Sequence, residues 1–193
     1  MTIRVQQKER TRSALVAAAR QLIADGRAPT VEDAAEAAGI SRTTAYRYFK
    51  NQAELLAEAY PHTQRKTLLA ANAPEDVGAR VDAVVREITR IVADCEAQQR
   101  TMLRLSLDPK TPRESLPLRQ GRAIGWLEEA LAPLASRWPK AKVRRLALAI
   151  RTTAGIEALV WLMDVAGLSR EEALRTMRWS AAALVRGALS RHD

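Results

Sequence analysis

Thr43, Tyr46 and Arg47 stand at i, i+3 and i+4, the spacing that puts three side chains on one face of a helix, whereas Ala45 and Phe49 fall on another. The first face carries hydroxyls and a guanidinium. Arg can bond guanine in the major groove, Thr can meet a thymine methyl or a phosphate, and Tyr hydroxyls suit phosphate oxygens. The second face is apolar, and Ala45 and Phe49, the chain's one Phe, would join Ile40 and Leu22 in a small core. The surrounding window from Ala37 to Ala53 contains no acid and holds Arg42, Arg47 and Lys50. The competing reading of this face is a short polar helix that is merely solvated.

Such a face needs elements to present it. Ala and Leu dominate the 193 residues, aromatics make up 4 %, and β-branched residues nowhere alternate for long, so the fold class is all-α. Leu15, Ala18, Ala19, Leu22 and Ile23 recur at helical spacing in a first helix over 8–25, which Gly26 ends. Thr30 caps a short second helix, with Asp33 as a variant capping box and Gly39 as its stop. Ser41 caps a third of about two turns, because Asn51 and Glu54 already announce the fourth. Thr30 and Ser41 thus sit at helix starts, where backbone N–H groups favour a phosphate. Pro61 predicts a kink or break near Tyr60.

Beyond it, helices are expected over 75–96, 97–107, 118–137, 139–166 and 169–190, with a proline-bearing exposed loop over 108–117. The helix over 139–166 is apolar on nearly every side between Leu146 and Met163, the pattern of a helix buried from two directions.

Charge and chemistry narrow the function classes. The net charge of +9 favours polyanionic partners, and residues 1–50 hold nine Lys or Arg against five Asp or Glu. The basic arm Arg4, Lys8, Arg10 and Arg12 is expected as a solvated, disordered tail or as a minor-groove arm. One cysteine makes no intramolecular disulfide, and Cys95 with His62 and His192 gives no metal-ligand spacing, so neither metal nor cofactor is expected. The charged start lacks a secretory pattern, and Arg151, Glu157 and Asp164 interrupt the most apolar stretch. A cytoplasmic chain without a membrane partner is expected. No glycine-rich phosphate loop or nucleophile–base pair supports an enzyme.

The run from Thr30 through Gly39, Ile40, Ser41, Arg42, Thr43, Thr44, Ala45, Tyr46, Arg47, Tyr48, Phe49 and Lys50 to Leu56 closely resembles the TetR-type helix-turn-helix. That resemblance covers residues 11–59. It implies phosphate contacts from Thr30, Tyr46 and Tyr48, base contacts from Arg42, Thr43 and Arg47, and a DNA-facing surface that also takes in Ser41, Thr44 and Lys50. Ala34 stands where the family has a larger aliphatic residue, and Gln52 where a lysine meets phosphate. The division that follows is a DNA-binding domain over 1–50 and an effector-binding and dimerisation domain over 51–193.

The same resemblance implies a homodimeric repressor on near-palindromic double-stranded DNA, with reading helices about one turn, roughly 34–36 Å, apart. Its last two helices would pair with their two-fold mates, through Ile156, Leu159 and Met163 and through Met177, Ser180, Ala181, Leu184, Gly187 and Ala188. A small-molecule effector would sit among Cys95, Met102, Leu105, Trp126 and Trp161, residues that ordinary core packing explains as well. Glu157, set in an apolar run, requires a partner if buried, and Arg104 or Arg122 is expected in that role, structurally or as a pocket floor. The alternative function keeps the architecture without an effector, as a constitutive or protein-docked regulator.

Overall fold

A computed structural model describes residues 3–110, 116, 119 and 121–190, with side chains from Val5 onward. Every regular element among them is helical: α1 (Ile3–Ala24), α2 (Val31–Ala37), α3 (Arg42–Tyr48), α4 (Gln52–Ala59), α5 (Val77–Asp94), α6 (Glu96–Ser106), α7 (Arg122–Ala130), α8 (Lys140–Thr153), α9 (Ile156–Val160) and α10 (Arg170–Leu189). Most of the expected 108–117 loop lies outside the described residues, as do His192 and the side chain of Arg4. The chain forms two compact units, one of residues 1–65 and 97–120, the other of 66–96 and 121–193.

In the first unit, α1 buries Leu15, Val16, Ala19, Leu22 and Ile23, and packs against α2 and α4. The expected tail is corrected: the chain is helical from Ile3, so Lys8 and Arg10 are exposed on α1 and Arg12 is held against α4. Gly26 ends the helix with φ +88°, where its carbonyl accepts from Arg104 Nη2 at 2.7 Å. A Cβ there would meet that guanidinium at 2.4 Å, so glycine answers both the left-handed backbone and the close approach. After α4, Pro61 opens a 3₁₀ turn, Pro61–Gln64, which is the break expected near Tyr60.

In the second unit, α5 places Val77, Val81, Val84, Val85, Ile88, Ile91 and Val92 on one buried stripe, packed by α7 and α10. The buried Thr89 hydroxyl accepts from Arg178 Nε of α10 at 3.1 Å, so this polar group is satisfied inside the interface. Two expected helices are interrupted. The one over 118–137 stops at Ala130 and continues as a 3₁₀ turn, because Pro133 cannot donate to an α-helical ladder.

The one over 139–166 breaks between Thr153 and Ile156, and resumes as α9 followed by a π turn over Trp161–Val165. The break has a visible cause. Gly155 is extended, with φ −102° and ψ 177°, and the Arg151 guanidinium lies where a Cβ would stand, reaching past it to Glu157. Lys140–Val165 is long and apolar enough by length and composition to cross a membrane. Here it is bent at Gly155, and α8 turns Val143, Leu146, Ala147 and Ile150 inward.

Candidate nucleic-acid interface

The turn between α2 and α3 is tight because Gly39 takes φ +65°, which lets the Ile40 N–H reach back to the Ala35 carbonyl at 2.8 Å. α2 begins in a full capping box: the Asp33 N–H donates to Thr30 Oγ1 at 3.1 Å, and the Thr30 N–H to Asp33 Oδ2 at 2.8 Å. Those bonds to Thr30, with Arg27 nearby, hold the Asp33 carboxyl below its ordinary value. α3 begins where Ser41 Oγ accepts from the Thr44 N–H at 3.3 Å.

Seven residues cannot hold themselves helical in water, so tertiary packing must fix α3. Ala45 is fully buried and Phe49 is 1 % exposed, which pins one face to the core of α1 and α2. The Phe49 ring in turn lies 5.1 Å from the Arg12 guanidinium carbon. At its end, Asn51 Oδ1 accepts from the Glu54 N–H at 2.9 Å, while the Glu54 carboxylate accepts from the Lys50 N–H at 2.8 Å. The box expected between Asn51 and Glu54 is thereby closed one residue earlier. It clamps the exit of α3 as well as the start of α4.

The polar face points outward. Ser41, Arg42, Thr43, Arg47 and Lys50 are exposed, Thr44 and Tyr48 half-buried, and Tyr46 is 43 % exposed. The guanidiniums of Arg42 and Arg47 and the Thr43 hydroxyl offer donors to base edges and phosphates. Two hydroxyls already have local roles, since Thr30 is held by Asp33 and Ser41 Oγ donates to Thr44 Oγ1 at 2.9 Å. Gln52, at the departure noted above, donates from Nε2 to the Pro29 carbonyl at 2.8 Å, tying α4 to the loop before α2. Tyr46 Oη donates to Glu32 Oε1 on α2 at 2.5 Å, which pushes the phenol up and draws the carboxyl down. Glu32 is a member of this surface that spacing along α3 could not reveal.

Residues 14–59 match the model of the bacterial regulatory proteins of the tetR family. Those residues form a TetR-family helix-turn-helix domain. The chain is also 31 % identical over 87 residues to the HTH-type transcriptional repressor LfrR of Mycolicibacterium smegmatis, an alignment that covers 45 % of this chain and 46 % of that protein. It thus spans under half the length of the curated relative it matches. The family match falls on α1 to α4, the helices whose polar face is described above.

The remaining expected site residues are distributed differently from expectation. Met102 is fully buried and Trp126 is 7 % exposed, whereas Cys95 and Leu105 are half-buried. Trp161, expected on a pocket wall, lies at the surface with 58 % exposure. Glu157 is corrected too: its side chain is 41 % exposed and Oε2 lies 3.2 Å from Arg151 Nη1, so it is not a buried acid. Burial pushes the Arg122 guanidinium down. Among the described residues no cluster of three His, Cys, Asp or Glu could hold a metal.

Ile156, Leu159, Met177 and Ala181, expected on a partner-facing surface, are at most 1 % exposed and belong to the chain's own core. Met163 is half-buried. Ser180, Leu184, Gly187 and Ala188 lie instead along a groove of about 660 Å³ between α8 and α10. Trp138 and Trp179 stand on its walls, and Trp179 is 67 % exposed.

Proposed function

We infer that this chain is a dimeric transcriptional repressor that reads a near-palindromic operator with α3 and leaves it when a small molecule binds. One observation carries the DNA-reading part: Ala45 and Phe49 anchor α3 while Arg42, Thr43 and Arg47 project from it unburied. Arg47 and Arg42 take base edges, Thr43 a methyl or phosphate, and Tyr48 and Lys50 the backbone, while Tyr46 is engaged by Glu32 and Thr30, Ser41 and Thr44 shape the turn that carries them. Residues 1–50 do the reading, and 51–193 carry dimerisation and the effector.

Pairing is supported by the α8–α10 groove, whose small residues Ser180, Ala183 and Gly187 permit close helix approach and whose exposed Trp179 offers a large apolar surface. A second copy seated there would make an isologous contact. Repression is inferred from the likeness to LfrR, an HTH-type transcriptional repressor. Release by a small molecule requires differential affinity for two dimer shapes.

Selection of bound duplexes from a random pool tests the reading. Wild type is expected to enrich a two-fold sequence, and Arg47→Ala to lose preference at one base pair per half-site while keeping salt-dependent binding. A wild-type chain that enriches nothing refutes it.

A further inference from the structure

Of the two acids in the first turn of α2, Asp33 faces Thr30 and Arg27, but Glu32 leans onto the reading surface. Its Oε1 accepts the Tyr46 hydroxyl at 2.5 Å, and Arg42 is close enough to favour its charge. An ionised carboxylate therefore sits among the groups that approach DNA. Beside a phosphate chain it opposes every duplex alike, subtracting from the sequence-independent attraction that the neighbouring cations supply. A carboxylate accepts but cannot donate; the major groove offers it the amino groups of cytosine N4 and adenine N6, and the N7 acceptor beside adenine N6 repels a carboxylate, so cytosine is the matching edge.

We propose that Glu32 is a specificity-determining residue: its carboxylate, steadied by the Tyr46 hydroxyl and half-buried on α2, accepts from a cytosine N4 amino group and disfavours duplexes that lack it. Discrimination then comes from both directions, a hydrogen bond at the matching site and repulsion elsewhere. The inference rests on the DNA-reading function proposed above and adds a position that α3 alone does not read. Tyr46 acts here as a positioning residue, since its hydroxyl is engaged by Glu32.

The test selects sequences from a randomised duplex pool with the whole 193-residue chain as wild type, Glu32→Gln, Tyr46→Phe and Arg47→Ala. Wild type should prefer cytosine at one position per half-site. Glu32→Gln should lose that preference by about tenfold, bind non-cognate duplex more tightly, and leave untouched the position that Arg47→Ala relaxes. Tyr46→Phe should weaken the same cytosine preference. A Glu32→Gln profile identical to wild type overturns the proposal while leaving the DNA-reading function intact. A lowered melting temperature with uniform loss at every position marks Glu32 as structural support and also overturns it. Failure of wild type itself to select any sequence overturns the underlying function, and the inference with it.

Discussion

Arg12→Ala should loosen the reading domain by about 1.5–2 kcal/mol, and the figure follows from what the guanidinium touches. Its Nε lies 2.6 and 2.8 Å from the two oxygens of Glu58, Nη2 bonds the same carboxylate, and the Phe49 ring lies beneath at 5.1 Å. The side chains are 38 % and 35 % exposed, so the pair belongs at the upper end of the range for solvated ion pairs, about 1 kcal/mol, and not with buried ones. Stacking on Phe49 adds about 0.5–1 kcal/mol. Urea unfolding of wild type, Arg12→Ala, Glu58→Gln and the double variant should give a coupling of about 1 kcal/mol, and amide exchange should place the loss in α1 and α4. Arg12→Lys should recover less than half, because an ammonium cannot meet both oxygens with a planar fork. A coupling within about 0.3 kcal/mol of zero would refute the clamp, and a single-variant loss above about 3 kcal/mol would refute its assignment as a solvated pair.

Two further outcomes follow from other parts of the chain. The Glu172 carboxylate accepts from the Ser169 hydroxyl at 2.6 Å and the Ser169 N–H at 2.9 Å, which hold its pKa below the ordinary 4.5. A lowered folded-state value stabilises above the ordinary carboxylate range and is lost as pH falls through it, so the melting temperature should drop below about pH 4.5. Glu172→Gln should shrink that drop, and a curve parallel to wild type would refute the link. In the α8–α10 groove, Ala183→Arg should weaken the proposed self-association at least about hundredfold by adding a bulky cation to a groove that already holds Lys142 and Arg145. Light scattering that still reports a dimer at micromolar concentration would remove that groove from the interface.

Signals settled locally were legible in the sequence. The boxes at Thr30–Asp33 and Ser169–Glu172, the turn at Gly39 and the stop before Pro61 each depend on partners at most five residues away, and each is where spacing alone put it. Pro133 and Gly155 were legible as residues, but not as breaks. What ends the helix at Gly155 is Arg151 folding over it towards Glu157, a choice between two side chains that propensity does not contain. The reading surface was legible along α3 and not across to α2, since Tyr46 finds Glu32 over 14 residues and Arg12 finds Glu58 over 46. No periodicity links such positions.

The helices that flank the groove show the same limit in apolar form. α10 carries two stripes of small and apolar residues: Ala173, Met177 and Ala181 recur every fourth position, and Ser180, Ala183, Leu184, Gly187 and Ala188 lie beside them. Periodicity marks both as surfaces that avoid water, because burial by one's own chain and burial by another copy draw on the same transfer free energy. Only the packing of α5 and α8 decides between them. It closes over the first stripe, leaving Met177 1 % exposed, and stops short of the second, where Trp179 stands 67 % exposed. A sequence read alone therefore groups the two stripes together, and only the packing separates Met177 and Ala181, enclosed by the chain itself, from Ser180, Leu184, Gly187 and Ala188 along the groove.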